Sequence, residues 1–323
     1  MSERGELITG FLAETTWANW GRNPLAGDAS ARKYTRLAHD TQSVILMDAP
    51  PENGEDTGAF AQIASYLTDQ GLCPPDILKH DPDSGLMVIS DLGPHDFANW
   101  LRAHPQDTTV LYTAAADVLA KLHRQKPDFP LNRLTPEIGG DMIALLNPYY
   151  TDHPVTELVN TMTAAMRELA PEPDTIALRD FHAENLIWRC DQKGDARVGL
   201  LDFQDALIAP AGYDLVSLLR DVRRDVPESL KTKIATYFMQ KTGLGHDFPA
   251  QLACLGAQRN LRILGVFARL AKTRNKPRYI DLLPRVWNNL LRDLGHPALA
   301  DLRQAALTAL PEPDATHMLK LRQ

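Results

Sequence analysis

Cysteine is scarce in this sequence: Cys73, Cys190 and Cys254 are the only three among 323 residues. Odd in number and far apart, they offer neither a disulfide framework nor the paired spacing of a zinc site, so idle thiols in a reducing cytoplasm are expected. Long apolar runs are missing too. No stretch of about 18 apolar residues occurs, which excludes a predicted transmembrane helix. The N-terminus, MSERGELITGFLAE, has acidic residues where a signal peptide needs a basic start and an apolar core. Cationic excess is absent, and the formal net charge of −7 speaks against broad nucleic-acid binding, which shows a basic face. The expected partners therefore include no nucleic acid and no membrane, and the expected location is cytoplasmic. No G-x-x-x-x-G-K-[ST] sequence appears, which removes the P-loop fold. Internal repeats and low-complexity tracts are absent as well.

What is present is ordinary globular material, 44% hydrophobic and 23% charged, in a chain long enough for two cores. Residues 1–18 carry Leu7, Ile8, Phe11, Leu12 and Thr15 at helical spacing. A small-residue turn from Leu25 leads into an alternating strand ending near Leu37. A second strand over 42–47 is closed by Pro50-Pro51. Residues 57–70 read as a helix stopped by Gly71, and 77–80 and 86–90 as strands around Asp81-Pro-Asp-Ser-Gly85. Beyond the turn-forming Asp91-Leu-Gly-Pro94 the pattern is helical: 97–104, 108–124, 138–146, 155–169, 213–226, 228–242, 248–272, 279–294 and 297–310. The expected fold is α+β. A β-rich lobe with one helix spans 1–90, and a larger, mainly helical lobe spans 91–323.

Residues 176–206 interrupt that helical pattern and carry the chemistry. They read as a loop, an apolar strand over 186–190, a turn containing Gly194, and a returning strand over 197–203. With the turn centred on Lys193-Gly194, Trp188 falls beside Gly199 and Asn185 opposite Asp202. Asp180 lies five residues before Asn185. Two carboxylates and an amide oxygen suit an oxygen-loving divalent ion such as Mg²⁺, with one carboxylate left as a base. Turn chemistry alone also favours Asp and Asn, but the D-x-x-x-x-N spacing followed by an apolar hairpin ending L-L-D-F is a more specific pattern. His123, at a helix end, has the alternatives of function or a core hydrogen bond. Arg259, Arg262, Arg269 and Arg274 face solvent, ion pairs or an anionic substrate group.

Several segments then resemble the aminoglycoside-phosphotransferase-like branch of the protein-kinase-like fold. Leu178-Arg-Asp180-Phe-His-Ala-Glu-Asn185 resembles that family's catalytic loop. Leu201-Asp202-Phe203-Gln204 resembles its metal-binding segment, Val118-Leu-Ala-Lys-Leu-His123 a helix end, and Pro210-Ala-Gly-Tyr-Asp-Leu-Val216 its P-x-x-Y-D-L-A. Met47-Asp-Ala-Pro-Pro51, Leu201–Ala206, Gln258–Leu270 and Lys276–Arg285 are similar to the bacterial anomeric kinases of N-acetylmuramate and N-acetylglucosamine in cell-wall recycling. The resemblance implies a small-molecule kinase that uses ATP and Mg²⁺ on an amino-sugar acceptor. Asp180 would be the catalytic base, and Asn185 and Asp202 would hold the metal. The nucleotide would meet Ser30, Arg32, Lys33, Arg36, Ser90, Asp91 and Leu92, and the sugar would meet Asp205, Arg259 and Arg262. Two departures stand out. Met47 occupies the position of the phosphate-holding strand Lys, leaving Arg32, Lys33 or Arg36 to supply that charge, and Leu178 replaces a loop-supporting His. The alternatives are an aminoglycoside or other small-molecule acceptor, or a nucleotide-binding module without turnover.

Overall fold

The computed structural model describes residues 3–25 and 32–322. The small-residue turn expected over the phosphates, including Ser30, lies outside these apart from Arg32. In chain order the elements are α1 (Glu3–Ala13), β1 (Gly21–Pro24), β2 (Lys33–His39), β3 (Gln42–Asp48), α2 (Thr57–Asp69), β4 (Ile77–Asp81), β5 (Leu86–Ser90), α3 (Phe97–Ala103), α4 (Thr108–Leu122), α5 (Pro136–Asp141), α6 (Leu146–Tyr149), α7 (Thr156–Leu169), β6 (Thr175–Ala177), β7 (Leu186–Trp188), β8 (Val198–Leu200), β9 (Leu207–Ala209), α8 (Tyr213–Leu219), α9 (Glu228–Thr242), α10 (Phe248–Arg274), α11 (Leu283–Asp293), α12 (Ala300–Ala309) and α13 (Ala315–Leu321). They form two compact units. One contains Met1–Pro105 with Glu184–Asp205, and the other Gln106–Ala183 with Ala206–Gln323.

The first unit is built on an antiparallel sheet in the order β1-β2-β3-β5-β4. β1, with the sequence GRNP, has no apolar alternation and is exposed throughout, so only its pairing with β2 makes it a strand. Val44, Leu46, Leu86 and Val88 put one sheet face against Phe11 and Leu12 of α1. α2 begins at Asp56, whose carboxylate accepts a hydrogen bond from Gly58 N, and it buries Phe60, Ile63, Ala64 and Leu67.

Glu184–Asp205 joins this unit through specific contacts. Leu200 N donates to Cys73 O at 2.9 Å and Trp188 N to His95 O at 2.7 Å. Phe203 packs against Phe60 with ring centroids 4.7 Å apart. Gly199 is needed where it stands, because a Cβ there would lie 2.8 Å from Leu92 Cδ1. The hairpin register differs from the expected one by a residue: Trp188 opposes Val198 and Ile187 opposes Gly199. A 3₁₀ turn over Gly194–Arg197 replaces the tight turn on Lys193-Gly194, which moves the centre of the hairpin.

In the second unit the 27-residue helix α10 runs through the core, burying Cys254, Leu255, Ala257, Leu261, Leu264 and Phe267. α7 presents Leu158, Met162 and Met166 to the same core. α9 matches its expected span at both ends, from the residue after Pro227 to Gly243, which sits at φ +73°. β6 and β9 pair as a short ribbon that the sequence reading left as loops. His123 takes the core alternative: its Nδ1 is 3.1 Å from Thr175 Oγ1, and burial lowers its pKa. No helix among the described residues is long and apolar enough to cross a membrane.

Candidate active site

In the first unit, Asn185 and Asp202 stand just beyond the paired residues of β7 and β8, where Leu201 N donates to Asn185 O at 3.0 Å. Asp202 has φ +58°, a left-handed conformation that turns the chain sharply out of β8. Its Oδ1 accepts from Gln204 Nε2 at 2.9 Å. Gln204 leaves a buried Oε1 without a partner among the described residues. The candidate donors are thus all oxygens: the Asp202 carboxylate, the Asn185 amide and the neighbouring Gln204 side-chain carbonyl. That set fits Mg²⁺, which takes one or two carboxylates and completes its shell with water and phosphate.

Of the three basic candidates for the charge missing at Met47, Arg32 is the one beside Asp202. Met47 is 1% exposed, one residue before the end of β3, opposite Tyr34 and Met87. Arg32, just ahead of β2, puts its guanidinium Nε 3.1 Å from Glu55 and its Nη2 3.5 Å from Asp202. Glu55 lies two residues before α2. Arg32 and Glu55 thus form an ion pair beside the Asp202 carboxylate. Burial pushes the neighbouring Tyr34 hydroxyl up to about 12; Arg32 opposes the shift, and Asp202 and Glu55 add to it.

The other basic candidates are used differently. Arg36 is bonded to Asp91 through Nε at 2.6 Å, and Ser43 Oγ donates to the same carboxylate at 2.8 Å. Asp91 is the more buried partner, and its pKa is lowered: desolvation opposes the shift, but the Arg36, Ser43 and Gly93 hydrogen bonds outweigh it. This pair fastens the end of β5 to β2. Lys33 is exposed. Ser90 Oγ accepts from Asp76 N at 2.8 Å, and Leu92 packs on Gly199. Asp205 ends the unit and is exposed.

In the second unit Asp180 sits on a loop that is clamped rather than loose. Asp214, in the first turn of α8, accepts from Leu178 N at 2.5 Å and from Arg179 N at 3.0 Å. Arg179 has φ +75°, strained for a residue with a side chain, and the paired acceptors hold it there. Leu178 is 2% exposed, so an apolar side chain and a backbone clamp support the loop in place of the family's His. Burial pushes Asp214 up to about 7, against the Leu178 N–H, Arg259 and the Arg179 N–H. Arg259 Nη1 donates to Arg179 O at 3.2 Å, and its guanidinium lies 5.8 Å from the Tyr213 ring centre. Arg262, one turn further along α10, lies near Asp180, Arg179 and Tyr213. Burial lowers its pKa first of all, and Arg179 and Arg259 lower it further against Tyr213 and Asp180. A separate cavity of about 470 Å³, lined by Lys231, Met239, Phe248 and Arg292, contains none of the candidate residues.

Asp180, Arg259 and Arg262 therefore come together in one unit, and Arg32, Asn185 and Asp202 in the other. The sequence reading missed Glu55, Gln204 and the clamping role of Asp214. The Y-D step of Pro210–Val216 signals Asp214, whereas nothing in the local sequence marks Glu55.

The model of the phosphotransferase enzyme family matches residues 22–248. The chain belongs to this family. It is 34% identical to an N-acetylmuramate/N-acetylglucosamine kinase of Caulobacter vibrioides, over 94% of this chain and 95% of that one. It is 29% identical to a kinase of the same name from Pseudomonas aeruginosa, over 94% and 93%. Among solved structures, a choline/ethanolamine kinase family protein from Mesorhizobium loti superposes with a TM-score of 0.64 at 16% identity, covering 94% of this chain and 98% of that one. A choline kinase from Streptococcus pneumoniae superposes with 0.66 at 12% identity, covering 90% and 100%. These likenesses establish the α+β protein-kinase-like fold.

Proposed function

We propose that this phosphotransferase moves the γ-phosphoryl group of ATP to the anomeric hydroxyl of an amino sugar, N-acetylmuramate or N-acetylglucosamine. The observation that carries the reading is near-full-length similarity to kinases of that name in two genera, at 34% and 29% identity. Phosphoryl transfer asks a protein for positioning and charge neutralisation more than for covalent chemistry. Asp180 accepts the proton of the acceptor hydroxyl and aligns its oxygen. An anomeric hydroxyl is more acidic than other sugar hydroxyls, so a carboxylate is an adequate base. Asn185 and Asp202 would hold Mg²⁺, which when bound would neutralise phosphate charge. Arg32, oriented by Glu55, supplies the phosphate contact that Met47 cannot make, and the backbone around Ser90–Leu92 meets the adenine. The functional division falls at residue 90, between a nucleotide lobe and an acceptor lobe. Compactness groups Glu184–Asp205 with the sheet, but its chemistry belongs with the acceptor lobe's catalytic loop. An ATP-using reaction of this kind belongs in the cytoplasm.

An aminoglycoside acceptor is the weaker reading. A polycation needs an acidic surface, and the groups around Asp180 include Arg179, Arg259 and Arg262. The test of the reading is Asp180→Asn, with folding checked by thermal melting. Loss of the base should lower turnover on N-acetylmuramate about 10²- to 10⁴-fold. A folded variant with near-wild-type turnover would sink the assignment.

A further inference from the structure

Arg262 is set apart from the other arginines around Asp180. Arg259 is committed to the Arg179 carbonyl and lies over the Tyr213 ring. In the same unit Arg220 is neutralised by two hydrogen bonds to Asp293, at 2.9 and 2.7 Å. Arg262 is partly buried, and the charges around it are Asp180 on one side of the balance and Arg179 and Arg259 on the other. A guanidinium withdrawn from water among like charges is costly, and such groups cluster where a ligand completes them. The surroundings are already cationic. Arg179, Arg259 and Arg262 face Asp180 and an Asp214 whose buried carboxyl holds its proton up to about pH 7. An anion is the missing component.

The two sugars of the proposed reaction differ in one respect that matters here. N-acetylmuramate carries a lactyl ether on C3, ending in a carboxylate, and N-acetylglucosamine has a neutral hydroxyl there. With the anomeric oxygen at Asp180, C3 lies two ring positions away. Arg262 follows Arg259 by three residues, which puts both on one face of α10.

We infer that Arg262 binds the lactyl carboxylate of N-acetylmuramate and sets the enzyme's preference for the acidic sugar over the neutral one. This assignment rests on the amino-sugar kinase reading. A planar guanidinium takes a carboxylate through two parallel hydrogen bonds, which a lysine does not reproduce.

The experiment measures kcat/KM for N-acetylmuramate, its lactyl methyl ester and N-acetylglucosamine, in wild type, Arg262→Leu and Arg262→Lys. In the wild type, esterification should lower kcat/KM about 10- to 100-fold, the worth of a charge-assisted contact. Arg262→Leu should lower the ratio of N-acetylmuramate to N-acetylglucosamine by a similar factor and remove the discrimination between acid and ester. Arg262→Lys should fall in between. Because each readout is a ratio within one protein, loss of folded enzyme cancels. A ratio unchanged by Arg262→Leu, or an ester as good as the acid in wild type, overturns the assignment. So does an equal loss on both sugars with a raised KM for ATP, which would place Arg262 on the phosphates. If wild type phosphorylates neither sugar, the amino-sugar reading itself falls and the assignment with it, a failure visible before any variant is made.

Discussion

Arg32→Ala is the sharpest perturbation of the nucleotide half of the site. The Arg32 side chain is only 9% exposed and lies 3.1 Å from Glu55 and 3.5 Å from Asp202. At an effective dielectric of about 20, each such pair is worth about 5 kcal/mol before desolvation is subtracted. The Asp202 side chain is 42% exposed, so its share is screened and small. What remains is a charge-assisted contact worth about 1.5–3 kcal/mol, or about 10- to 150-fold in a rate or binding constant. Nε faces Glu55 and Nη2 lies 3.5 Å from Asp202, and a planar guanidinium held there can take phosphate oxygens in a fork, which an ammonium group does less well. Arg32→Ala should therefore lower kcat/KM for ATP about 10- to 150-fold, and Arg32→Lys should restore part of it. Steady-state kinetics with ATP varied at saturating acceptor measure this directly. A value for Arg32→Ala within about twofold of wild type would show that the phosphates are held elsewhere and that the Arg32–Glu55 pair is only structural.

Two further outcomes follow from the second unit. Asp214 is raised from 3.8 to about 7 in the folded protein, so its contribution to stability is complete below pH ~4 and is lost as pH rises through 7. The stability of wild type relative to Asp214→Asn should accordingly shrink between pH 4.5 and 7.5, by about 2–4 kcal/mol, in denaturant titrations at each pH; a difference that does not change with pH would contradict the burial argument. Gly256→Ala would put a methyl group 2.3 Å from Asp293 Oδ2, on the carboxylate that Arg220 and Asn260 share. It should destabilise the fold by about 2–4 kcal/mol, read as a lower melting temperature, and an unchanged melting temperature would mean that α11 yields without loss.

The chemical motif was legible because its information is local in sequence. Asp180, Asn185 and Asp202 are tied by fixed spacings, and the long helices announce themselves through apolar periodicity bounded by Pro and Gly, as α9 does between Pro227 and Gly243. What escaped depends on partners distant in the chain. β1 has no apolar pattern and exists through its pairing with β2, and β6 and β9 are three-residue strands that define one another. The hairpin slipped by one residue because a 3₁₀ turn absorbs residues that a two-residue turn would leave in the strands. Arg32 was one of three basic candidates for the missing charge. Only the fold separated it from Arg36, which is bound to Asp91, and from the exposed Lys33. The Leu178 substitution looked like a loss of loop support, and the support turned out to be the Asp214 carboxylate 36 residues downstream.

The central claim, transfer of phosphate to the anomeric oxygen of an amino sugar, is tested most directly by the product. The protein would be incubated with ATP, Mg²⁺ and N-acetylmuramate, and the phosphorylated sugar examined by phosphorus NMR. The predicted product is a single phosphomonoester whose phosphorus couples to the anomeric proton and which mild acid hydrolyses. A phosphate on any other hydroxyl, or no transfer to either amino sugar while ATP is still bound, would contradict the account.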